Sequence, residues 1–183
     1  MSRTISENIF GTHFFTKYYL TILGVILLTV SSKISIPFYP VPMTLQTLVV
    51  YFIAASMGMV GFYSTFIYVV LGTIGLPIFA NGGGIGYIFS PTFGFLYGMV
   101  VSAFFISLFL NRELNTNLVK LSLIITIGAV IIFLCGLSHL SFFVGVEQAI
   151  TLGLVPFLYS EFLKIILAIA IIYGLIQRVN SKN

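Results

Sequence analysis

Charged residues are scarce in this chain. They make up 7% of its 183 residues, against roughly 25% in a typical soluble domain, while hydrophobic residues make up 59%. A soluble protein of this length could not bury so much apolar surface, so the composition excludes that class. The apolar runs approach the ~20 residues that a membrane-spanning helix needs, and they lack the alternating pattern of a membrane barrel. The sequence therefore predicts an all-α integral membrane protein.

The chain also lacks the residues that most enzyme and metal sites need. It contains no Asp, its single cysteine is Cys135, and its two histidines, His13 and His139, are isolated. No motif of a zinc protease, a serine hydrolase or an ATP-binding loop occurs. We therefore expect no disulfide within the chain, no catalytic residue, no metal and no cofactor. Any energy for transport must come from a partner protein.

The apolar pattern predicts six transmembrane helices in a single domain, residues 1–183. The segment PFYPVP, a glycine-rich loop and the polar segment NRELNTN interrupt the pattern. The connector before the last helix has room for a short interfacial helix. A cleaved signal peptide is the alternative for the first helix, because residues 30–32 resemble a cleavage site, although Glu7 and the long preceding segment argue against it. The predicted ranges are 18–36, 44–57, 60–76, 92–110, 118–137 and 157–176.

The basic residues predict the orientation in the membrane. They are scattered singly, which does not favour nucleic-acid binding, and six of the eight fall on the side that holds both termini. Because basic residues favour the cytoplasm, we expect both termini to be cytoplasmic. PFYPVP, the glycine-rich loop and the start of the sixth helix then share the outer side. The six residues are Arg3, Lys17, Arg112, Lys120, Arg178 and Lys182.

Two ionisable residues in the sixth predicted helix are the strongest candidates for a ligand site. Glu161 and Lys164 are three residues apart, so a helix places them on one face. Ionisable residues within a membrane are functional suspects, because burying a charge there costs at least ~2.5 kcal/mol at full depth. The alternative is a mutually neutralised pair near the membrane surface.

Three further residues are polar or aromatic candidates. Asn81 carries an amide that both donates and accepts, which suits a urea or amide group on a ligand, or it is an ordinary turn residue. Gln46 lies just inside the second predicted helix and contacts either a ligand or a neighbouring helix. Tyr87 offers a flat wall for a ring, or it is an interfacial aromatic residue.

The glycine-rich loop, GLPIFANGGGIGYIFSP at residues 75–91, allows two interpretations. Its consecutive glycines, including Gly83 and Gly84, make room for a ligand or simply form a tight turn. A phosphate-binding loop is excluded, because no Lys followed by Ser or Thr occurs after the glycines.

Three motifs in register resemble the BioY family, the biotin-binding S components of energy-coupling factor (ECF) transporters. They are ISIPFYPVPMTLQTLVVY, GTIGLPIFANGGGIGYIFSPTFGFLYG and GLVPFLYSEFLKIILA, and the similarity extends over almost the whole chain. The resemblance implies a six-helix S-component-like bundle in the cytoplasmic membrane that captures biotin from outside. It also implies partners, namely a transmembrane coupling protein and two ATPase subunits, with which the S component topples in the membrane.

The resemblance also implies roles for particular residues. Asn81 and Glu161 would hydrogen-bond the ureido ring of biotin, and Lys164 would meet the valerate carboxylate. Gly83 and Gly84 would let the loop close over the bicyclic ring. Biotin is then a transported substrate and not a cofactor.

The chain departs from the family pattern at several positions. Glu161 stands where Asp is usual, Phe93 replaces a glycine, and Val25 and Thr29 replace the small alanines with which S components dock their coupling partner. These departures keep open an S component for another small vitamin. Two other hypotheses are biotin uptake without a dedicated ATPase module, and a membrane enzyme that uses Glu161 as a general acid or base.

Overall fold

The structure, a computed structural model, describes residues 5–6, 14–110 and 116–181. Arg3, His13, Arg112 and Lys182 lie outside these ranges. The described chain forms a helical bundle with one two-stranded hairpin and one 3-10 helix, Ile85–Phe89. Its α-helices are α1 (Phe14–Lys33), α2 (Gln46–Met57), α3 (Met59–Ile74), α4 (Phe93–Leu110), α5 (Leu118–Val144), α6 (Val146–Gly153) and α7 (Val155–Asn180).

Four of the described helices, α1, α4, α5 and α7, are long and apolar enough to cross a membrane. The other two predicted spans correspond to α2 and α3, with 12 and 16 residues. At a rise of about 1.5 Å per residue these helices are about 18 and 24 Å long, short of a hydrocarbon core of about 30 Å. The all-helical class is confirmed, and the count of six spans stays a prediction.

The segment after α1 forms a β-hairpin instead of continuing the first helix. Strands β1 (Ser35–Ile36) and β2 (Met43–Thr44) pair antiparallel, with Ser35 opposite Thr44. The predicted first helix, which ran to residue 36, is therefore too long at its end, because residues 35–36 pair with another strand. Strand β2 ends at Thr44, and α2 begins two residues later at Gln46.

Helix α5 is longer than the sequence predicted, ending at Val144 and not near residue 137. Its last two turns contain serines that looked like a connector. Ser138 and Ser141 donate hydrogen bonds to the carbonyls of Cys135 and Ser138, so they satisfy their hydroxyls within the helix. The helix stops at Gly145, whose φ of 82° favours glycine. Helix α6 then occupies the rest of the connector.

Small residues allow the helices to pack closely. A Cβ atom on Gly98 of α4 would lie 2.9 Å from Cys135 Cβ and 3.0 Å from the Ile132 carbonyl oxygen of α5. Such close approach is typical of helix pairs in membranes. Ser107 of α4 also donates to the carbonyl of Gly58, at 2.8 Å, in the turn between α2 and α3. These contacts hold α2, α3 and α5 around α4.

Candidate ligand-binding site

A cavity of about 50 Å³ lies where the β-hairpin, the glycine-rich loop and the first half of α7 meet. The structure thus brings together the three segments that the sequence predicted on one side. Of the predicted site residues, Gln46, Tyr87, Glu161 and Lys164 line this cavity. Other lining residues come from the hairpin, the loop and the helices, among them Val41, Thr44, Thr47, Phe79, Phe95 and Phe157.

Glu161 and Lys164 form a buried ion pair on α7. Lys164 Nζ lies 3.1 Å from Glu161 Oε2, and the two residues are 4% and 6% exposed. Because a buried ion pair is stable only when its remaining hydrogen-bonding groups are also satisfied, the partners of these side chains matter. The two charges neutralise each other, as the alternative expected, and the pair also lines the cavity.

Two hydroxyl groups of α2 complete the ion pair. Tyr51 donates to Glu161 Oε1 at 2.6 Å, and Thr47 donates to Glu161 Oε2 at 3.0 Å. Lys164 Nζ also donates to Thr47 Oγ1 at 3.2 Å. Sequence reasoning missed both α2 residues. Their spacing of four, which puts two hydroxyls on one face of an apolar helix, is the signal that could have found them.

Gln46 links the cavity to the glycine-rich loop. Its Nε2 donates to the Tyr68 hydroxyl at 2.8 Å, and that hydroxyl donates to the carbonyl of Ile78 at 3.0 Å. Thr44 donates to Gln46 Oε1 at 3.1 Å. Gln46 therefore bonds a neighbouring helix, as one interpretation expected, while it also lines the cavity.

Aromatic rings form part of the cavity wall. The buried Phe79 ring lies between Tyr68 and Tyr87, with centroid separations of 5.4 and 4.8 Å. Phe157 from α7 contacts Phe38 of the hairpin and Phe133 of α5 at centroid separations of 6.4 and 6.5 Å. This combination of apolar walls and a few polar groups is usual for a small-molecule site.

The glycines of the loop are needed for its close packing on α3. A Cβ atom on Gly83 would collide with the carbonyl oxygen of Leu76 at the start of the loop and would lie 2.9 Å from the carbonyl oxygen of Gly72 in α3. Gly84 has a φ of 111°, and its N–H donates to the carbonyl of Gly72 at 2.7 Å. The tight-turn interpretation is thus supported at both positions. Closure of this loop over a ligand stays a prediction.

Asn81 lies at the exposed tip of the loop, outside the set of described residues that line the cavity. Ligand contact by Asn81 therefore requires the loop to move, and it stays a prediction.

Lys33 at the end of α1 contacts the loop without lining the cavity as described: it donates to the carbonyl of Phe79 at 2.6 Å. Phe93 also lies outside the described cavity lining, and its ring packs near Tyr97 and His139.

The described side chains at the cavity offer hydrogen bonds and apolar walls. Within residues 5–6, 14–110 and 116–181, no group of three or more His, Cys, Asp or Glu side chains is arranged to hold a metal ion. The polar set at the cavity therefore suits a small organic ligand with both donor and acceptor groups.

Comparisons with known proteins point to one family. The family model described as "BioY family" matches residues 4–181. The "Biotin transporter BioY" of Thermotoga maritima is 37% identical over 145 residues, covering 78% of this chain and 85% of that protein. The "Biotin transporter BioY2" of Lactococcus lactis subsp. cremoris is 34% identical over 175 residues, covering 92% and 96%.

A solved structure has the same fold. The crystal structure of "the S-component for biotin from an ECF-type ABC transporter" superposes with a TM-score of 0.78. The match covers 88% of this chain and 90% of that one, at 23% sequence identity. The helical bundle is therefore the S-component fold.

Proposed function

This chain belongs to the BioY family, and from that premise we propose that it captures biotin and carries it across the cytoplasmic membrane as the S component of an ECF transporter. The family is one of transporters, so the enzyme hypothesis is set aside. Within this chain, the main structural support for a biotin site is the buried Glu161–Lys164 ion pair that lines the cavity. An S component for another vitamin is the alternative, and Phe93 no longer supports it because that ring lies outside the cavity lining as described.

The polar groups of the site match those of biotin. A ureido ring has N–H donors and a carbonyl acceptor, and Glu161 supplies a carboxylate acceptor. Lys164 has three N–H donors, of which two are directed at Glu161 and Thr47. The third is available for an acceptor on the ligand. The apolar rings around the pair suit the fused ring system of biotin.

The cavity must enlarge to admit biotin. Its volume of about 50 Å³ is well below the ~300–1,000 Å³ of typical small-molecule sites. We propose that the glycine-rich loop moves outward for entry and closes afterwards, bringing Asn81, Gly83 and Gly84 against the ligand. The loop is the proposed moving part because it contributes Phe79 and Tyr87 to the cavity wall, and its opening breaks the hydrogen bonds by which α1 and α3 hold its backbone.

The proposed orientation has both termini in the cytoplasm and the cavity open to the outside. Helices α2 and α3 are antiparallel neighbours joined at Gly58, so they add either two crossings or none. In both cases the number of crossings is even, and both termini lie on the same side. The charge distribution then selects the cytoplasm.

The proposed partners are a transmembrane coupling protein and two ATPase subunits. The chain has no ATP-binding motif of its own, so ATP-driven transport needs ATPase subunits supplied by partners.

Equilibrium binding of labelled biotin to the purified protein in lipid nanodiscs tests the function. We expect saturable binding by the unaltered protein. Lys164→Ala should weaken it by about 10- to 100-fold, since a hydrogen bond from a charged group contributes about 1.5–3 kcal/mol. Lys120→Ala is the matched control, because Lys120 lies in the first turn of α5, outside the described cavity lining.

Asn81→Ala tests the loop contact in the same assay. Biotin binding that is unchanged in both Lys164→Ala and Asn81→Ala would contradict the site. If folded, unaltered protein binds no biotin, or if lipoate, thiamine or riboflavin competes equally well, the proposed function is wrong.

A further inference from the structure

We infer that Tyr51 of α2 is a positioning residue for the binding of biotin, acting through Glu161 and without touching the ligand. This inference rests on the proposed function and extends it to a residue that the family resemblance did not assign. Tyr51 donates its hydroxyl to Glu161 Oε1 at 2.6 Å, the shortest of the contacts that this carboxylate makes with described residues.

The surroundings of Tyr51 separate it from the ligand. Its side chain is 0% exposed and lies outside the described lining of the cavity. The partners of the other carboxylate oxygen, Thr47 and Lys164, do line the cavity. Tyr51 therefore holds Oε1 in the interface between α2 and α7, and Oε2 is left as the acceptor on the cavity side.

This arrangement matters because a buried carboxylate needs its donors. Leaving one oxygen of a buried charged group without a hydrogen bond carries a large penalty. Water is not a ready substitute at a residue with no exposed surface. Without the Tyr51 hydroxyl, Glu161 gains freedom to rotate toward other donors, and this rotation disturbs the acceptor offered to the ureido N–H group.

The geometry also excludes a simple packing role for the hydroxyl. Tyr51 fills the core with its ring, which phenylalanine would do equally well. The oxygen adds the contact to Glu161, and it also lies within hydrogen-bonding reach of the Thr47 hydroxyl, which itself donates to Glu161. Removing that oxygen therefore isolates the positioning effect from the packing of the ring.

The experiment is a double-mutant cycle measured on biotin affinity in nanodiscs. Tyr51→Phe should raise Kd for biotin by about tenfold, as expected where residues of one hydrogen-bond network are coupled. In the Glu161→Met background, which removes the acceptor of the Tyr51 hydroxyl, the same substitution should change Kd by less than about twofold, because neighbours that act through one another are not additive.

Tyr97→Phe is the matched control. Tyr97 donates between helices, to the carbonyl of Cys135 at 3.0 Å, and lies outside the described cavity lining. The Tyr97→Phe variant should lose this hydrogen bond between helices without any change in its affinity for biotin. Melting temperatures of all variants identify any loss of fold.

Three results separate the possibilities. Equal affinity in Tyr51→Phe and the unaltered protein overturns the inference, and so does an equal loss in both Glu161 backgrounds, which marks a general structural effect. If Tyr51→Phe does not fold, Tyr51→Leu is measured in the same cycle by the same criteria. Absence of biotin binding by the unaltered protein, in contrast, contradicts the proposed function itself.

Discussion

The 3.1 Å distance between Lys164 and Glu161 bears on which part of biotin the lysine contacts. The family resemblance places Glu161 at the ureido ring and Lys164 at the valerate carboxylate, which lie at opposite ends of an extended ligand. Because Glu161 and Lys164 are in direct contact, both can bind the same end of biotin more easily than they can bind its two opposite ends. A ureido edge presents N–H and C=O side by side, so it can donate to Glu161 and accept from Lys164 at once.

A comparison of biotin with its methyl ester decides between these contacts. We expect Lys164→Met to weaken binding of both ligands by the same factor, because the ion pair keeps the ammonium beside Glu161. A loss that disappears for the ester would instead place Lys164 at the carboxylate. Both affinities come from competition against labelled biotin, with Lys120→Met as the control.

Residue chemistry explains why part of the site could be predicted from sequence. Glu161 and Lys164 are conspicuous because charge is rare in an apolar helix, and Gln46 is conspicuous because a polar amide is also unusual there. Thr47 and Tyr51 are ordinary in apolar runs. Their spacing of four puts both hydroxyls on one face of α2, but that face gains its role only because α2 packs against α7. Asn81 looked like a site residue, but its exposure depends on the conformation of the loop.

Helix α1 and the glycine-rich loop are joined by hydrogen bonds to two successive carbonyls. Ser32 donates to the carbonyl of Ile78 at 2.7 Å, and Lys33 donates to that of Phe79 at 2.6 Å. The carbonyl of Ile78 also accepts from Tyr68. The end of α1 thus holds the part of the loop that covers the cavity.

Lys33→Met should make this loop open more easily. Methionine keeps an unbranched apolar stem but cannot donate to the carbonyl of Phe79. We expect biotin to dissociate about 3- to 10-fold faster, the change that follows from losing one modest hydrogen bond. Stopped-flow displacement of a fluorescent biotin measures this rate, with Lys17→Met as the control at the other end of α1. An unchanged rate would show that the loop does not depend on Lys33.

At the scale of elements, sequence patterns were most reliable for the middle of each helix and least reliable for its ends. The six predicted apolar helices all have counterparts, from α1 to α5 and α7. The predicted helix ends are wrong where contacts with other parts of the chain determine where the helix stops. Residues 35–36 leave α1 because strand β2 is available, and α5 continues because its serines bond within the helix.

At the scale of the whole molecule, the fold follows from composition and pattern, whereas the orientation depends on the membrane. The scarcity of charge and the apolar runs predicted a helical membrane protein, and the bundle has the S-component fold. Positioning the cavity outside rests on the basic residues, three of which, Arg3, Arg112 and Lys182, lie beyond the described ranges. The sidedness is therefore the property that most needs a direct experiment.

Cysteine labelling in intact cells provides that experiment. In a Cys135→Ser background, Asn81→Cys places a thiol at the exposed loop tip, and Ser181→Cys places one at the exposed end of α7. With both termini in the cytoplasm, a membrane-impermeant maleimide should label Asn81→Cys in intact cells and Ser181→Cys only after permeabilisation. The opposite pattern would invert the orientation, and the cavity would then open toward the cytoplasm. Saturating biotin should slow the labelling of Asn81→Cys, because closure of the loop would bury its tip against the ligand, while the reactivity of Ser181→Cys stays constant.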